Sequence, residues 1–205
     1  MDTISQRWTP PSHAYSSIVC VVLAAGGSRR LGRPKQLLLY RGVPLVRHVA
    51  SQVLKMPFAA SAIVLGAAQR AVDEALGALT IERLANPGWS AGLASSVRVA
   101  AGWAAARGAA ALVLVLADQP FLDAAHLERL VGAWGADAPV VASEYGSLRA
   151  LPALFDASRF RALGALEGDR GAARILRDDP AVVRIPWPEG LVDVDTEEDA
   201  RALRV

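Results

Sequence analysis

The sequence has little cysteine, few aromatic residues and almost no net charge. Cys20 is the one cysteine of 205 residues, so no disulfide can form within the chain, which predicts a reducing compartment such as the cytoplasm. The formal net charge is +2 and no basic tract is present. This argues against nucleic acid or an anionic membrane as a partner. No apolar run is long enough to span a bilayer.

The start of the chain lacks the features of a secretion signal. Residues 1–16 show no basic start followed by an apolar stretch, so we expect them to form a flexible polar tail. The remainder, 17–205, has neither an internal repeat nor a low-complexity linker. We therefore expect a single domain there, of a length that can bury a full core.

Short apolar runs alternate with amphipathic stretches along the chain. The predicted strands are 17–24, 62–65, 80–84, 111–117, 139–142, 152–155 and 182–185. The predicted helices are 45–55, 69–79, 95–107, 123–134, 170–177 and 196–203. This alternation predicts a three-layer α/β domain with a Rossmann-like, mainly parallel sheet. Ligands of such sheets bind beyond the carboxyl ends of strands, which directs attention to residues 25–35, 118–120 and 193–195.

Small residues and then cations follow the first predicted strand. The segment contains Leu23, Ala24, Ala25, Gly26, Gly27 and Ser28, followed by Arg30 and Lys35. Small residues let backbone N–H groups approach an anion closely, and the two cations supply charge. Neither the P-loop nor the dinucleotide fingerprint fits this spacing. From the residues alone, a phosphate-binding loop and a strand-to-helix turn with surface cations are equally supported.

Carboxylates follow two of the later predicted strands. Asp118 comes directly after the apolar run 111–117, where rigid backbone could fix a ligand for magnesium. A turn or helix-capping role beside Pro120 is the alternative. Asp193 and Asp195 are placed by alternation on the same face of an extended segment.

The loop after the third predicted strand combines small and hydroxyl-bearing residues. Gly92 would allow close approach of a ligand, to which Ser95 or Ser96 could form a hydrogen bond. The alternative is an ordinary loop that starts at Asn86, in which Ser95 caps the following helix.

These segments together resemble the MobA-like NTP transferase family. Residues 23–35 are similar to the signature L-A-A-G-x-S-x-R-M-G-x-P-K, with Leu31 in place of methionine as the one departure. Residues 116–120 resemble its L-A-D-Q-P motif, and 86–97 resemble N-x-x-W-x-x-G-M-x-x-S-L. Residues 193–199 resemble D-I-D-T-P-E-D, so the resemblance covers nearly the whole chain from residue 18 to residue 203.

The resemblance implies a role for each group of residues. The loop from Leu23 to Ser28 would hold a nucleoside triphosphate, and Arg30 and Lys35 would neutralise its phosphates during catalysis. The residues that would lie against the nucleobase and ribose are Asn86, Gly92, Ser95 and Ser96. Asp118 would bind Mg²⁺, Asp195 would be a second metal ligand, and Asp193 would be structural.

The activity implied is that of a molybdenum cofactor cytidylyltransferase. Such an enzyme transfers CMP from CTP to the phosphate of molybdopterin, releases pyrophosphate, and serves a molybdenum hydroxylase or its chaperone. Guanylyl transfer, another phosphorylated acceptor, or a non-catalytic nucleotide- or cofactor-binding accessory protein are the alternatives. The family's G-x-P or G-H-P turn is absent, because Ala150 and Leu151 precede Pro152, and this leaves the acceptor open. His48 and His126 are interpreted as packing or surface residues.

Overall fold

The structure is a computed structural model that describes residues 15–28, 31–146, 148–168, 172–179 and 181–191. The predicted helix at 196–203 and all but the end of the predicted tail at 1–16 lie outside these residues. Among the described residues, every helix is too short or too polar to span a bilayer.

The observed strands are β1 (Ile18–Leu23), β2 (Leu39–Tyr40), β3 (Val43–Pro44), β4 (Ala60–Leu65), β5 (Glu82–Ala85), β6 (Ala111–Leu116), β7 (Val140–Tyr145), β8 (Leu148–Asp156) and β9 (Val182–Pro186). The α-helices are α1 (Leu45–Val53), α2 (Gln69–Leu76), α3 (Leu93–Ala106), α4 (Ala124–Gly132), α5 (Phe160–Gly164) and α6 (Ala173–Asp178). Short 3₁₀-helices occupy Lys35–Leu37, Trp89–Ala91, Ala157–Arg159 and Pro188–Leu191.

Seven of these strands form one sheet, in the order β5-β4-β1-β6-β8-β7-β9. Every described neighbour pair in it is parallel except the two pairs that involve β8. The prediction of a mainly parallel α/β sheet is therefore confirmed. β2 and β3 form a separate antiparallel hairpin, which the sequence pattern missed because two-residue strands show no alternation.

The sheet is covered by helices on both faces, which gives the predicted three layers. β1 is buried along its whole length, and its alternate residues face opposite ways. Cys20 packs with side chains of α1, α2 and α4, whereas Val21 packs with side chains of α3, α5 and α6. Burial also raises the pKa of the Cys20 thiol, as expected for a cysteine inside the core.

Several boundaries differ from the predictions for identifiable reasons. α2 ends at Leu76 rather than at residue 79, because Gly77 adopts a positive φ of 56° that ends the helix. α3 begins two residues before the predicted start, directly after Gly92. β7 and β8 extend beyond the predicted 139–142 and 152–155, because they pair with each other over a long antiparallel ladder.

Candidate active site

A cavity of about 420 Å³ opens at the carboxyl ends of β1 and β6, within the range of small-ligand pockets. Its position agrees with the rule for open α/β sheets. The residues that line it come from the segment after β1, from the loop before α3 and from the end of β6. They are Leu23, Ala25, Gly26, Gly27, Ser28, Leu31, Lys35, Gln36, Trp89, Ser90, Gly92, Leu93, Ser96, Leu116, Ala117 and Asp118.

An ion pair lies across this cavity. We call the segment from Leu23 to Ser28 the glycine loop. Lys35 begins a 3₁₀-helix a few residues after this loop, and Asp118 follows β6. The ammonium of Lys35 forms a salt bridge with the Oδ2 of Asp118, and Asp118 is only 7 % exposed. A buried carboxylate is costly without a cation beside it, so Lys35 offsets the cost of placing Asp118 in this wall.

The side chain of Gln36 ties the glycine loop together. Its Nε2 donates to the carbonyl oxygen of Ala24 at 3.1 Å and to that of Gly26 at 2.7 Å. Its Oε1 lies 3.5 Å from the hydroxyl of Ser28, which in turn accepts from the backbone N–H of Lys35 at 2.9 Å. Our sequence interpretation missed Gln36, because a buried amide beside a lysine has no motif of its own.

The loop leaves some of its backbone donors without partners. Among the described residues, the N–H groups of Ala25, Gly26 and Gly27 have no hydrogen-bond acceptor. Ala25 is buried whereas Gly26 and Gly27 are exposed, and successive backbone N–H groups beside a cavity suit an anionic ligand. Ser28 adopts a positive φ of 47°, a conformation that turns the chain sharply at this point.

Two glycines let the loop pack closely against its neighbours. A Cβ on Gly66 would lie 2.7 Å from the Cβ of Ala25 and 2.7 Å from the Cβ of Trp89. A Cβ on Gly27 would lie 2.9 Å from the Trp89 ring. The close approach of Trp89 to the loop, which our sequence interpretation did not assign to the site, therefore requires glycine at both positions.

The predicted base-binding residues divide into two sets. Ser96 and Gly92 line the cavity, and the positive φ of 97° at Gly92 favours glycine. Asn86 and Ser95 instead bond within the wall, since the Asn86 Nδ2 donates to both Ser95 Oγ and Ser96 Oγ, at 2.8 and 3.0 Å. The Ser95 hydroxyl also donates to the Gly92 carbonyl at 2.8 Å. Ser95 lies inside α3, whose N-cap is Gly92, so the alternative that Ser95 caps this helix is wrong.

The predicted loop residues also face two ways. Leu23 and Ala25 line the cavity, whereas Ala24 packs into the core on the opposite side of the sheet. The N–H of Ala24 donates to Val64 and the carbonyl of Ala25 accepts from Ala67. These bonds extend the β1–β4 pairing into the loop and anchor its first half to the sheet.

A second glutamine, Gln119, supports the segment around Asp118. Its Nε2 donates to the carbonyl of Leu151 at 2.7 Å, and its Oε1 accepts from the N–H of Leu116 at 3.3 Å. Leu151 precedes Pro152 in the position where the family pattern has a different turn, and the bond between them is cis. Gln119 thus joins the end of β6 to β8, beside the region that the sequence left open.

Arg30 and Asp195, two of the predicted site residues, lie outside the described residues, as does Asp193. Asp118 is the predicted metal ligand that the structure describes. The described residues contain no group of three or more histidine, cysteine, aspartate or glutamate side chains able to hold a metal ion. Among the described residues that line the cavity, Asp118 therefore supplies the one carboxylate that could bind a metal ion.

His126 is fully buried and serves packing. Its Nδ1 accepts from Arg129 at 3.0 Å, its Nε2 lies 2.7 Å from the Ser143 hydroxyl, and its ring stacks on Trp187. Burial, with a smaller effect of the Arg129 charge, lowers its pKa to about 4. His48 is partly buried and makes an edge contact with Tyr40. Both placements agree with the interpretation as packing or surface residues.

Comparison with known proteins assigns the fold to a family. The profile described as the MobA-like NTP transferase domain matches residues 20–183. The nicotine blue oxidoreductase of Paenarthrobacter nicotinovorans is 34 % identical over 86 % of this chain and 87 % of that protein. The molybdenum cofactor guanylyltransferase of Rhodobacter capsulatus is 32 % identical over 90 % of this chain and 94 % of that protein.

A solved structure shares the whole architecture. The crystal structure of Rv0371c from Mycobacterium tuberculosis, described as a complex with manganese, superposes with a TM-score of 0.74 at 30 % identity. The match covers 91 % of this chain and 97 % of that one. The chain therefore spans nearly the full length of the relatives it matches.

Proposed function

This chain belongs to the MobA-like NTP transferase family of nucleotidyltransferases, and from that premise we propose that it transfers CMP from CTP to the phosphate of a molybdopterin-type acceptor, with release of pyrophosphate. The observation that carries the proposal is the Lys35–Asp118 ion pair beside the glycine loop. It brings a phosphate-binding cation and a metal-binding anion to one cavity.

The nucleotide occupies the cavity with its phosphates on the glycine loop. The N–H groups of Ala25, Gly26 and Gly27 are the donors that the described part of the loop offers to an anion. Lys35, together with Arg30, neutralises the phosphates. The nucleobase lies towards Gly92 and Ser96 on the opposite wall, and Asn86 and Ser95 hold that wall in place.

Asp118 is a suitable ligand for Mg²⁺, and Asp195 is its proposed partner. Magnesium is held in proteins by one or two carboxylates together with substrate phosphates, so one described carboxylate next to a phosphate-binding loop fits this chemistry. A related structure is described as a manganese complex, which supports a divalent ion in this fold. The ion supplies neutralisation of phosphate charge.

The chemistry asks little covalent work of the protein. An oxygen of the acceptor phosphate attacks the α-phosphorus in line, the new P–O bond forms, and the bond to the bridging oxygen of pyrophosphate breaks. Catalysis then consists of positioning and charge neutralisation. Lys35 and Arg30 stabilise the negative charge that accumulates on the leaving pyrophosphate.

The motifs at residues 32–35 and 117–120 are the basis for proposing CTP, and a relative named for guanylyl transfer makes GTP the competing nucleotide. A molybdopterin-type acceptor implies delivery of the product to a molybdenum hydroxylase or its chaperone. The single, buried Cys20 supports a cytoplasmic location.

A pyrophosphate-release assay with each nucleoside triphosphate and Mg²⁺, with and without molybdopterin, tests this function. We expect release only when both the acceptor and the preferred nucleotide are present, and we expect CTP to be preferred. Release with GTP alone among the nucleotides would replace cytidylyl by guanylyl transfer. No release with any nucleotide and molybdopterin would contradict the proposal.

One relative is named as an oxidoreductase, so an oxidoreductase is one alternative to nucleotidyl transfer. A nucleotide- or cofactor-binding accessory protein, which would bind without turnover, is the other. Both alternatives predict no pyrophosphate in the assay above. Isothermal titration with CTP and GTP then separates a nucleotide-binding protein from one that binds neither.

A further inference from the structure

Gln36 is a buried polar side chain that the proposed chemistry does not use. It is 3 % exposed and belongs to the same short helix as Lys35. Its amide donates to the carbonyls of Ala24 and Gly26. Because both of these partners are acceptors, they also fix which end of the amide carries nitrogen.

The carbonyls that Gln36 holds belong to peptide units whose N–H groups face the other way. In a trans peptide plane the C=O and N–H bonds point in opposite directions. When the Gly26 carbonyl points to Gln36, the N–H of Gly27 must point away from it, and the same holds for Ala24 and the N–H of Ala25. These N–H groups have no acceptor among the described residues.

A flipped peptide would reverse the electrostatics of the loop. Glycine on both sides of the Gly26–Gly27 peptide makes such a flip easy, because no Cβ opposes it. The flip would present a carbonyl oxygen to the phosphates in place of a donor. The hydrogen bond from Gln36 to the Gly26 carbonyl opposes that rearrangement, and the bond to the Ala24 carbonyl holds the Ala24–Ala25 peptide in the same way.

We propose that Gln36 is a positioning residue that orients the peptide units after β1 so that their N–H groups receive the polyphosphate of the nucleotide. The proposal rests on the proposed function. It predicts that Gln36 contributes to recognition of phosphates and not to recognition of the nucleoside. A merely structural glutamine would affect both.

The test uses Gln36→Met, which keeps the length of the side chain and removes both donors, and Gln36→Glu, which keeps its shape. Gln52→Met is the matched control, because Gln52 lies on α1 and its side chain has one described hydrogen bond, with the exposed Lys55. Val131→Ala, in the core on α4, controls for loss of stability. Titration calorimetry measures the affinity of the full chain for CTP, GTP, inorganic tripolyphosphate, cytidine and guanosine.

We expect both Gln36 variants to bind the preferred triphosphate and tripolyphosphate at least about tenfold more weakly. The reason is that loop N–H groups that are no longer held in place lose hydrogen bonds to the charged phosphates. Nucleoside affinity should change less than about twofold. In turnover, KM for the triphosphate should rise while kcat changes little. The two control variants should match wild type in the ratio of triphosphate to nucleoside affinity.

Three results would overturn the proposal. Unchanged triphosphate affinity in Gln36→Met would exclude a positioning role and leave the proposed function intact. An equal loss of triphosphate and nucleoside affinity would assign Gln36 a structural role only. If wild type binds no triphosphate, the proposed function fails together with this inference.

Discussion

Asp118 is buried in the turn that follows β6, and its carboxylate is paired with Lys35. Asp118→Asn keeps the shape of the side chain and removes its charge. We expect the rate of pyrophosphate release to fall about a hundredfold, equivalent to roughly 2.7 kcal/mol of activation free energy. Circular dichroism should show an unchanged fold. Turnover within a few-fold of wild type would exclude Asp118 as the metal-binding carboxylate.

Lys35 is paired with Asp118, so its removal has two separable effects. In Lys35→Ala we expect weaker triphosphate binding, because a phosphate-neutralising cation is lost. We also expect tighter binding of Mn²⁺ alone, because the Asp118 carboxylate loses its competing cation. Calorimetry with CTP and Mn²⁺ separately measures both, and the thermal midpoint in buffer should change little. A large fall in that midpoint, with triphosphate affinity retained, would instead support the role of a structural turn.

His126 predicts a pH dependence of folding stability that is independent of the active site. Its pKa is lowered from 6.5 to about 4 by burial, and Arg129 adds to this while Asp123 opposes it. The unfolded chain therefore binds the proton more tightly. The contribution of neutral His126 to the free energy of unfolding is fully present above pH 6.5 and is lost as the pH falls towards 4. The total loss is on the order of 3 kcal/mol.

Denaturant unfolding of wild type and His126→Phe between pH 4 and 7 measures this effect. Phenylalanine keeps a ring beside Trp187 and cannot titrate. The unfolding free energy of wild type should fall relative to that of His126→Phe as the pH is lowered. A difference that is constant with pH would show that His126 titrates normally or not at all in this range.

At the scale of elements, Gly66 lies in the turn after β4, between the glycine loop and the helix Trp89–Ala91. These elements pack too closely to leave room for a side chain at Gly66. A Cβ there would meet the backbone oxygen of Ala25 at 2.8 Å, so Gly66→Ala must shift the loop. We expect a loss of stability of about 1–3 kcal/mol and a weaker affinity for triphosphate. Thermal unfolding and nucleotide titration measure the two effects.

Gly102→Ala is the matched control for that substitution. Gly102 lies inside α3, and a Cβ there would meet no atom within 4 Å. Alanine should therefore stabilise the protein by about 0.5–1 kcal/mol through its higher helix propensity, with nucleotide affinity unchanged. Equal effects of the two substitutions would show that the close packing around Gly66 is unimportant.

At the scale of the whole molecule, the elements with long apolar runs or clear helical spacing were predictable from the sequence. The apolar runs that became β1 and β6 are buried on both faces, which is why they read as continuous hydrophobic segments. The β2–β3 hairpin and α5 were missed, because elements of two to five residues carry too short a pattern.

The candidate site was predictable only in part, for a physical reason. Lys35 and Asp118 belong to motifs, and the rule that ligands bind at strand ends placed both near one cleft. Gln119 and Trp89 belong to the matched motifs, but their contacts with Leu151 and Gly27 lie far away in the sequence and gave no local indication of a role. Gln36 belongs to no motif used in the prediction. The same holds for Asn86 and Ser95, whose mutual hydrogen bonding became visible only once the loop and α3 were seen together.

The measurement that tests the central claim most directly is a crystal structure with Mg²⁺ and α,β-methylene CTP, in which the bond broken during transfer is replaced. We predict the triphosphate within hydrogen-bond distance of the Gly26 and Gly27 N–H groups, the Lys35 ammonium on a phosphate oxygen, and the ion on Asp118. Phosphates bound away from this loop, with Lys35 still paired to Asp118, would contradict the account.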